Sequence, residues 1–407
     1  MRSLVIIIFF ISIISCTSET PNKSRIQEDV SFLADDALEG RQTGTEGEKK
    51  AADFIAKRFE TLGLSAKGTN GYYQEFSFLP KTDPHKEVEF TTNQDGTITG
   101  RNVIGYLDNQ AKNTVIIGGH YDHLGYGGEG SLYRDSIKAV HNGADDNASG
   151  TAVMLDLARK LKGKNTNNNY LFMAFSGEEM GLLGSNYFVK NPTINTQTVS
   201  YMINMDMVGR LKQDSTLAVY GVGTSPMFKQ VLKAHNNKFK LIENESGVGP
   251  SDHTSFYLAD IPVLHFFTGQ HEDYHKPGDD SEKLNYEGME KISSYIFDII
   301  SDLDDNGKLA FRTTKNESES TPRFRVGLGV IPDYLYDGKG MRIDGVSEGK
   351  PAQKAGLQKG DIVIQLGDSI VTDMMSYMRA LSVFEKGDLT KAVVDRNGKK
   401  VATEIQF

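Results

Sequence analysis

Over the first three quarters of the chain, short apolar runs alternate with segments whose apolar positions recur every three or four residues. The short runs fall at 103–106, 114–119, 170–175, 201–205, 217–221 and 262–267. Their length and their Val, Ile, Tyr and Phe content predict strands. In 48–62 the apolar positions are Ala51, Ala52, Ile55, Phe59 and Leu62, a helical spacing; 150–161, 182–189, 226–233 and 286–303 are helix candidates as well. Strands separated by helices indicate an α/β unit with a mixed, largely parallel central sheet flanked by helices. The pattern lapses after 303, and residues 313–322 are polar with few large apolar side chains, which predicts a linker. The expected division is a first unit over 25–305, a linker over 306–322 and a second, β-rich unit over 323–407.

The N-terminus has its own pattern. Arg2 precedes an apolar run over 4–14 that only Ser12 interrupts. It is too short to span a bilayer and has the length of a signal-peptide core. It ends in Ile13-Ile14-Ser15-Cys16, which resembles a bacterial lipobox, and Cys16 is the sole cysteine of the 407 residues. The expectation is a lipoprotein signal peptide over 1–16, lipidation at Cys16, a tether over 17–24 and an exported protein held on a membrane, facing the periplasm or on the cell surface. With one cysteine, no disulfide is available, and stability must come from packing and metal.

Composition narrows the function classes. Fifty-four acidic against 45 basic residues give a net charge of -9, which argues against a nucleic-acid partner. Five places put metal-type residues at the ends of apolar runs or in loops: His120-Tyr-Asp122-His, Gly143-Ala-Asp145-Asp146-Asn-Ala-Ser-Gly150, Ser176-Gly-Glu178-Glu179, Asp206-Met-Val-Gly, and Asp273-Tyr274-His275-Lys-Pro-Gly-Asp-Asp280. In open α/β sheets ligands bind outside the carboxyl ends of the strands. Singly, each run has an ordinary explanation, because acidic residues after strands cap helices and most of the nine histidines are expected to be structural. Jointly, imidazoles and carboxylates suit a pair of zinc ions with one carboxylate bridging. The adjacent Glu178-Glu179 also offers one metal ligand and one general base.

This ordered set resembles the co-catalytic zinc aminopeptidases of clan MH, of the aminopeptidase Y type. The likeness runs from Gly40-Arg41, through Gly44-Thr45 and Ala51-Ala52, to the His275 loop and its following helix. It implies the zinc exopeptidase fold, two zinc ions per chain and peptide substrates. Its residue roles are His120, Asp145, Glu179, Asp206 and His275 as metal ligands, with Asp145 bridging and the Asp145–Asp146 peptide cis. Asp122 would orient His120, Glu178 would be the general base, and Tyr274 would stabilise an oxyanion. Ser251-Asp252-His253 also matches the family and is expected to pack behind the metals. Many relatives carry an inserted lid. The stretch between Tyr73 and Arg101 is short for one, and the glycine-rich loop 124–141 is either a cover for the pocket or an ordinary surface loop.

The last unit contains Pro351-Ala-Gln-Lys-Ala355-Gly356-Leu357-Gln-Lys-Gly360-Asp361-Ile362, which resembles PDZ domains appended to bacterial proteases. The resemblance implies a carboxylate-binding loop at Gly327, Leu328, Gly329 and Val330, a groove helix over 374–381 and a C-terminal peptide as ligand. The alternative is a PDZ fold that only packs on the first unit. The leading expectation is a dizinc aminopeptidase. Carboxypeptidase or dipeptidase action, a metal-stabilised peptide-binding lipoprotein without catalysis, and a one-zinc glutaminyl-cyclase-like transferase are the competing readings.

Overall fold

The computed structural model describes residues 24–80, 90–91, 95–128, 130–133, 135–314, 326–333, 336, 338–347 and 349–407. The lipidation expectation at Cys16 lies outside them. Among the described residues, nine strands form the sheet of the first unit: β1 (Ser65–Ala66), β2 (Tyr73–Phe78), β3 (Ile98–Leu107), β4 (Asn113–His120), β5 (Asn168–Phe175), β6 (Val199–Met205), β7 (Thr216–Tyr220), β8 (Lys240–Glu243) and β9 (Val263–Phe267). Their order is β1-β3-β5-β4-β6-β9-β7-β8, with β2 also pairing to β3. The centre β5-β4-β6-β9 is parallel, while β3 joins β5 and β7 joins β9 antiparallel. This is the mixed sheet the sequence predicts.

Every residue of β4, β5 and β6 is buried. Strands covered on both faces read as continuous apolar runs, which is why these were legible. The covering helices include α1 (Arg25–Leu33), α2 (Glu46–Leu62) and α3 (Gly150–Leu161). Further along come α4 (Leu183–Lys190), α5 (Phe228–His235), α6 (His253–Tyr257) and α7 (Tyr286–Leu303). Thr45 caps α2 through its hydroxyl, and Gly63 closes it in the left-handed conformation, a start and stop together worth about 1–2 kcal/mol. Helix α3 buries Val153, Met154, Leu157, Ala158 and Leu161 at helical spacing. It can approach the sheet because a Cβ at Gly150 would sit 2.3 Å from the Met205 carbonyl oxygen. The start of α3 and the carboxyl ends of β4 and β6 therefore meet at one point.

In the second unit the described residues form a six-stranded sheet of β10 (Val330–Pro332), β11 (Met341–Val346), β12 (Ile362–Leu366), β13 (Ser369–Ile370), β14 (Leu389–Arg396) and β15 (Lys399–Gln406), ordered β10-β11-β12-β14-β15 with β13 beside β12. Short helices α8 (Pro351–Lys354) and α9 (Met374–Leu381) accompany it. Its own core contains Leu328, Ile343, Val363, Leu366, Val394 and Ile405. Asp361 is fully buried and bound at both oxygens by Arg396, at 2.6 and 2.7 Å. Leu328, in the expected carboxylate-binding loop, points into this core, and its carbonyl accepts the Ala352 N–H at 2.8 Å. The Gly329 carbonyl accepts from Ser347, also at 2.8 Å, and Val330 opens β10.

Candidate metal centre

Strand β4 ends on His120, β5 runs into Ser176-Gly177-Glu178-Glu179, and β6 runs into Asp206. Main-chain pairing fixes these exits: Tyr121 N–H donates to Phe175 O at 2.9 Å and Asp206 N–H to Phe266 O at 3.2 Å. Thr151, in the first turn of α3, donates to the His120 carbonyl at 2.9 Å. Arg41 ties the remaining loops down. It is fully buried and donates to the carbonyls of Tyr121 at 2.7 Å, Asn142 at 2.6 Å and Gly143 at 3.0 Å, and to that of Leu33. Burial pulls its guanidinium down to about 10.

The carboxylate of Asp146 stands between two imidazoles. Its Oδ1 is 3.3 Å from His120 Nε2, and its Oδ2 is 3.2 Å from His275 Nε2. His120 Nε2 also faces Asp206 Oδ1 at 3.3 Å, and His275 Nε2 faces Glu179 Oε2 at 3.3 Å. Two equivalent positions result, each made of one imidazole, one carboxylate of its own and one shared carboxylate. Glu178 is set slightly apart, with Oε2 3.9 Å from His120 Nε2.

Two expectations are corrected here. The shared carboxylate belongs to Asp146, not Asp145, and the cis peptide bond is Asp146–Asn147, not Asp145–Asp146. The backbone decides between the neighbours. Asp145 turns its Oδ1 to the N–H of Gly209 at 2.6 Å and the Ser149 hydroxyl at 3.1 Å, while its Oδ2 lies 3.2 Å from His271 Nε2. Asp279 Oδ2 accepts both the Asp145 and Asp146 N–H groups, at 2.9 and 3.0 Å. Asn147 is anchored through its amide to Met205 O at 2.9 Å. Gly143 enters this turn at φ 54, where a Cβ would lie 2.2 Å from the Asp146 carbonyl oxygen.

The imidazoles are oriented from behind. His120 Nδ1 lies 3.1 Å from the Asp122 carbonyl oxygen. The Asp122 carboxylate, 3.6 Å from that nitrogen, accepts the Thr43 hydroxyl at 3.0 Å and the Glu178 N–H at 3.2 Å. His275 Nδ1 meets the Gly130 carbonyl at 2.8 Å, and Leu132 N–H donates to the His275 carbonyl at 3.0 Å. The glycine-rich loop thus docks directly on His275. Tyr274 stacks on His275, ring centroids 3.8 Å apart, and lines the same cleft as Glu178, Met207, Tyr220, Phe267 and Gln270.

The electrostatics follow from crowding. Burial, with the carboxylates of Asp206 and Glu179 nearby, pushes Glu178 well above the usual carboxylate range. Burial opposes protonation of His120, yet Asp206 and Glu178 raise it well above an ordinary imidazole. His275, against the same opposition from burial, is raised to about 9 by Glu179 and Asp146. Asp146 is held well below the usual range despite burial, because both imidazoles donate to it. So many carboxylates in one buried cleft require positive charge, and two imidazoles with oxygen ligands match zinc in chemistry and number of donors. Among the described residues, His120, Glu178 and Asp206 form one group of metal-type donors, and His123, Asp146 and Glu179 form another.

Ser251, Asp252 and His253 lie behind this cleft, all fully buried or nearly so. Burial raises Asp252 to about 7. His253 stacks flat on His265, centroids 4.3 Å apart, and burial lowers His265 to about 4. Sequence reasoning missed His123, His271 and Asp279 as parts of the site. His123 closes the His120-Tyr-Asp122-His run and Asp279 follows His275 by four residues in another run already singled out, so both lay in runs the sequence marked, whereas His271 belongs to none of them.

Residues 102–300 match Peptidase family M28, and residues 307–407 match the PDZ domain family. A probable leucine aminopeptidase of Trichophyton verrucosum is 34% identical over 173 residues, covering 40% of this chain and 44% of the relative. Aminopeptidase YwaD of Bacillus subtilis is 33% identical over 167 residues, covering 38% of this chain and 36% of the relative. The chain thus spans less than half the length of either. Among solved structures, a zinc aminopeptidase from Bacillus subtilis aligns with a TM-score of 0.53 at 19% identity, over 70% of this chain and 97% of that one. A Zn-dependent exopeptidase from Parabacteroides distasonis aligns with 0.55 at 19%, over 68% and 97%. These structural likenesses concern the fold.

Proposed function

We propose that this chain, whose residues 102–300 match Peptidase family M28 and whose residues 307–407 match the PDZ domain family, is a dizinc aminopeptidase. It removes N-terminal residues from peptides, with Glu178 as general base. The observation that carries this reading is the paired geometry around Asp146: two imidazole–carboxylate positions sharing one carboxylate.

His120, Asp146 and Asp206 would hold one zinc, and Asp146, Glu179 and His275 the other. When bound, the ions supply Lewis acidity toward the attacking water and the scissile carbonyl. The chain does the rest. The Asp122 and Gly130 carbonyls take the Nδ1–H of His120 and His275, which presents each Nε2 lone pair to the cleft. Glu178 accepts a proton from the attacking water, and its elevated proton affinity lets it keep that proton until the leaving amine takes it. Tyr274 is the candidate donor to the developing oxyanion. Met207, Tyr220 and Phe267 give the cleft an apolar wall suited to the first side chain of the peptide, and the surrounding carboxylates favour a free ammonium.

The PDZ unit binds a peptide C-terminus along β10, and lipidation at Cys16 tethers the enzyme to a membrane outside the cytoplasm. Both belong to the same proposal.

The test is hydrolysis of aminoacyl-p-nitroanilides compared with the same compounds N-acetylated. Chelator-sensitive cleavage of the free-amine series alone supports the proposal. Cleavage of dipeptides or C-terminal residues in place of it would point to a dipeptidase or carboxypeptidase. Zinc binding without any hydrolysis would point to a binding protein.

A further inference from the structure

His123 clusters with Asp146 and Glu179 among the metal-type donors but is not one of the five ligands proposed above, and it is among the most enclosed side chains of the site, 1% exposed. Its Nδ1 is 2.7 Å from Glu179 Oε1. A carboxylate only accepts, so the ring nitrogen must carry the hydrogen. The other Glu179 oxygen, Oε2, faces His275 Nε2 at 3.3 Å. The two oxygens of Glu179 therefore have separate partners.

We infer that His123 is a positioning residue that occupies one oxygen of Glu179, so that only the other is presented to the second metal position. This rests on the dizinc reading. An unrestrained carboxylate can close on an ion with both oxygens. A charge-assisted hydrogen bond to Oε1 opposes that and leaves a coordination position for water or substrate. The ring is itself fixed. Gly143 packs so closely that a Cβ there would lie 2.5 Å from His123 Cγ and Cδ2. The His123 ring stands at 71° to that of His275 with centroids 5.9 Å apart, and its main-chain N–H donates to the Arg41 carbonyl at 3.3 Å. Among the described residues its Nε2 is buried with no hydrogen-bond partner, which leaves Glu179 as the hydrogen-bond partner of the ring. Nδ1 lies 4.0 Å from Asp146 Oδ2, farther than the 3.2 Å at which His275 Nε2 faces the same oxygen.

The experiment uses the full chain stripped of metal and titrated with Zn²⁺ and Co²⁺, following affinity by chelator competition and coordination by the visible absorbance of Co²⁺. His123→Leu and His123→Gln lack a donor at the Nδ1 position, whereas His123→Asn places its amide N–H there. The expected result is two ions in the wild type and a second ion held about 10–100-fold more weakly in His123→Leu. The Co²⁺ spectrum of that ion should shift toward higher coordination, and His123→Asn should restore both properties. If His123→Leu does not fold by circular dichroism, His123→Gln takes its place against His123→Asn. Wild-type affinity and spectrum in the donor-lacking variant would overturn the inference. So would equal loss in His123→Asn, which would make the imidazole itself a ligand. A wild type that binds no ion would overturn the dizinc reading, and this role with it.

Discussion

Asp145 and Asp146 are consecutive and both buried, yet their carboxylates face opposite sides of the same turn. Asp146 lies between His120 and His275 at 3.3 and 3.2 Å, while Asp145 accepts the N–H of Gly209 at 2.6 Å. One shapes the turn and the other faces the cleft. Substituting each with Asn separates the roles. Asp146→Asn is expected to lower zinc affinity at both positions by more than about 100-fold, beyond the range for residues that only support ligands. Asp145→Asn is expected to fall within about 10–100-fold. Competition against a chromophoric chelator measures both, and equal effects would remove the distinction.

Glu178, the proposed general base, has its main-chain N–H held by Asp122 and its carboxylate 3.9 Å from His120. Glu178→Gln keeps the shape and removes the base. Zinc content is expected to stay at two ions while kcat falls by about 10²–10⁴, or about 3–5 kcal/mol of barrier. Steady-state kinetics on protein of measured zinc content decide it.

The metal-free site has a pH dependence of definite sign. His275 is raised to about 9 in the folded chain, from an ordinary value of 6.5. The folded state therefore binds more protons than the unfolded state between those values. The stability this gives is fully present below about 6.5 and is lost as pH rises through 9. In the proposed site zinc would compete for the same nitrogen, so its affinity is expected to rise with pH over that window and its binding to release protons. Calorimetry in buffers of different ionisation enthalpy should show that release at pH 7, and the increment zinc adds to Tm should grow from pH 6.5 to 9. A pH-independent increment would contradict this.

The stacked His253 and His265 pair works in the other direction. Burial lowers His265 to about 4 and lowers His253 as well. Both are neutral when folded, while the unfolded chain takes up protons below about 6.5. Their share of stability is therefore present above 6.5 and is lost as pH falls toward 4. Among the described residues neither nitrogen of His253 has a hydrogen-bond partner, so His253→Phe is expected to change stability at pH 7 by less than about 1.5 kcal/mol. It should also flatten the acid limb of a urea-denaturation series. An unchanged acid limb would show that the pair carries no proton linkage.

The strands most legible in the sequence were those buried on both faces. The runs at 114–119, 170–175 and 201–205 fall within β4, β5 and β6, and the spacings at 150–161 and 286–303 coincide with α3 and α7. Strand β8 was missed because its four residues are only half-buried or exposed and carry no apolar run. Strand β2 was missed because a strand with a mixed burial pattern blends into the following polar stretch. The choice between Asp145 and Asp146 could not be made from composition. Both are carboxylates in one buried turn, and the hydrogen bonds of Ser149 nearby and of Asp279 and Gly209, distant in sequence, determine which one faces the cleft. The contact of His123 with Glu179 was hidden for the same reason, since it spans 56 positions.

The most direct test of the dizinc account is to strip the full chain of metal and add zinc back in steps, reading bound zinc and leucyl-p-nitroanilide hydrolysis on the same samples. The account predicts no hydrolysis in the stripped protein, recovery that saturates at two ions per chain, and no recovery in Asp146→Asn. Full turnover in protein verified to be metal-free, or saturation at a single ion, would contradict it.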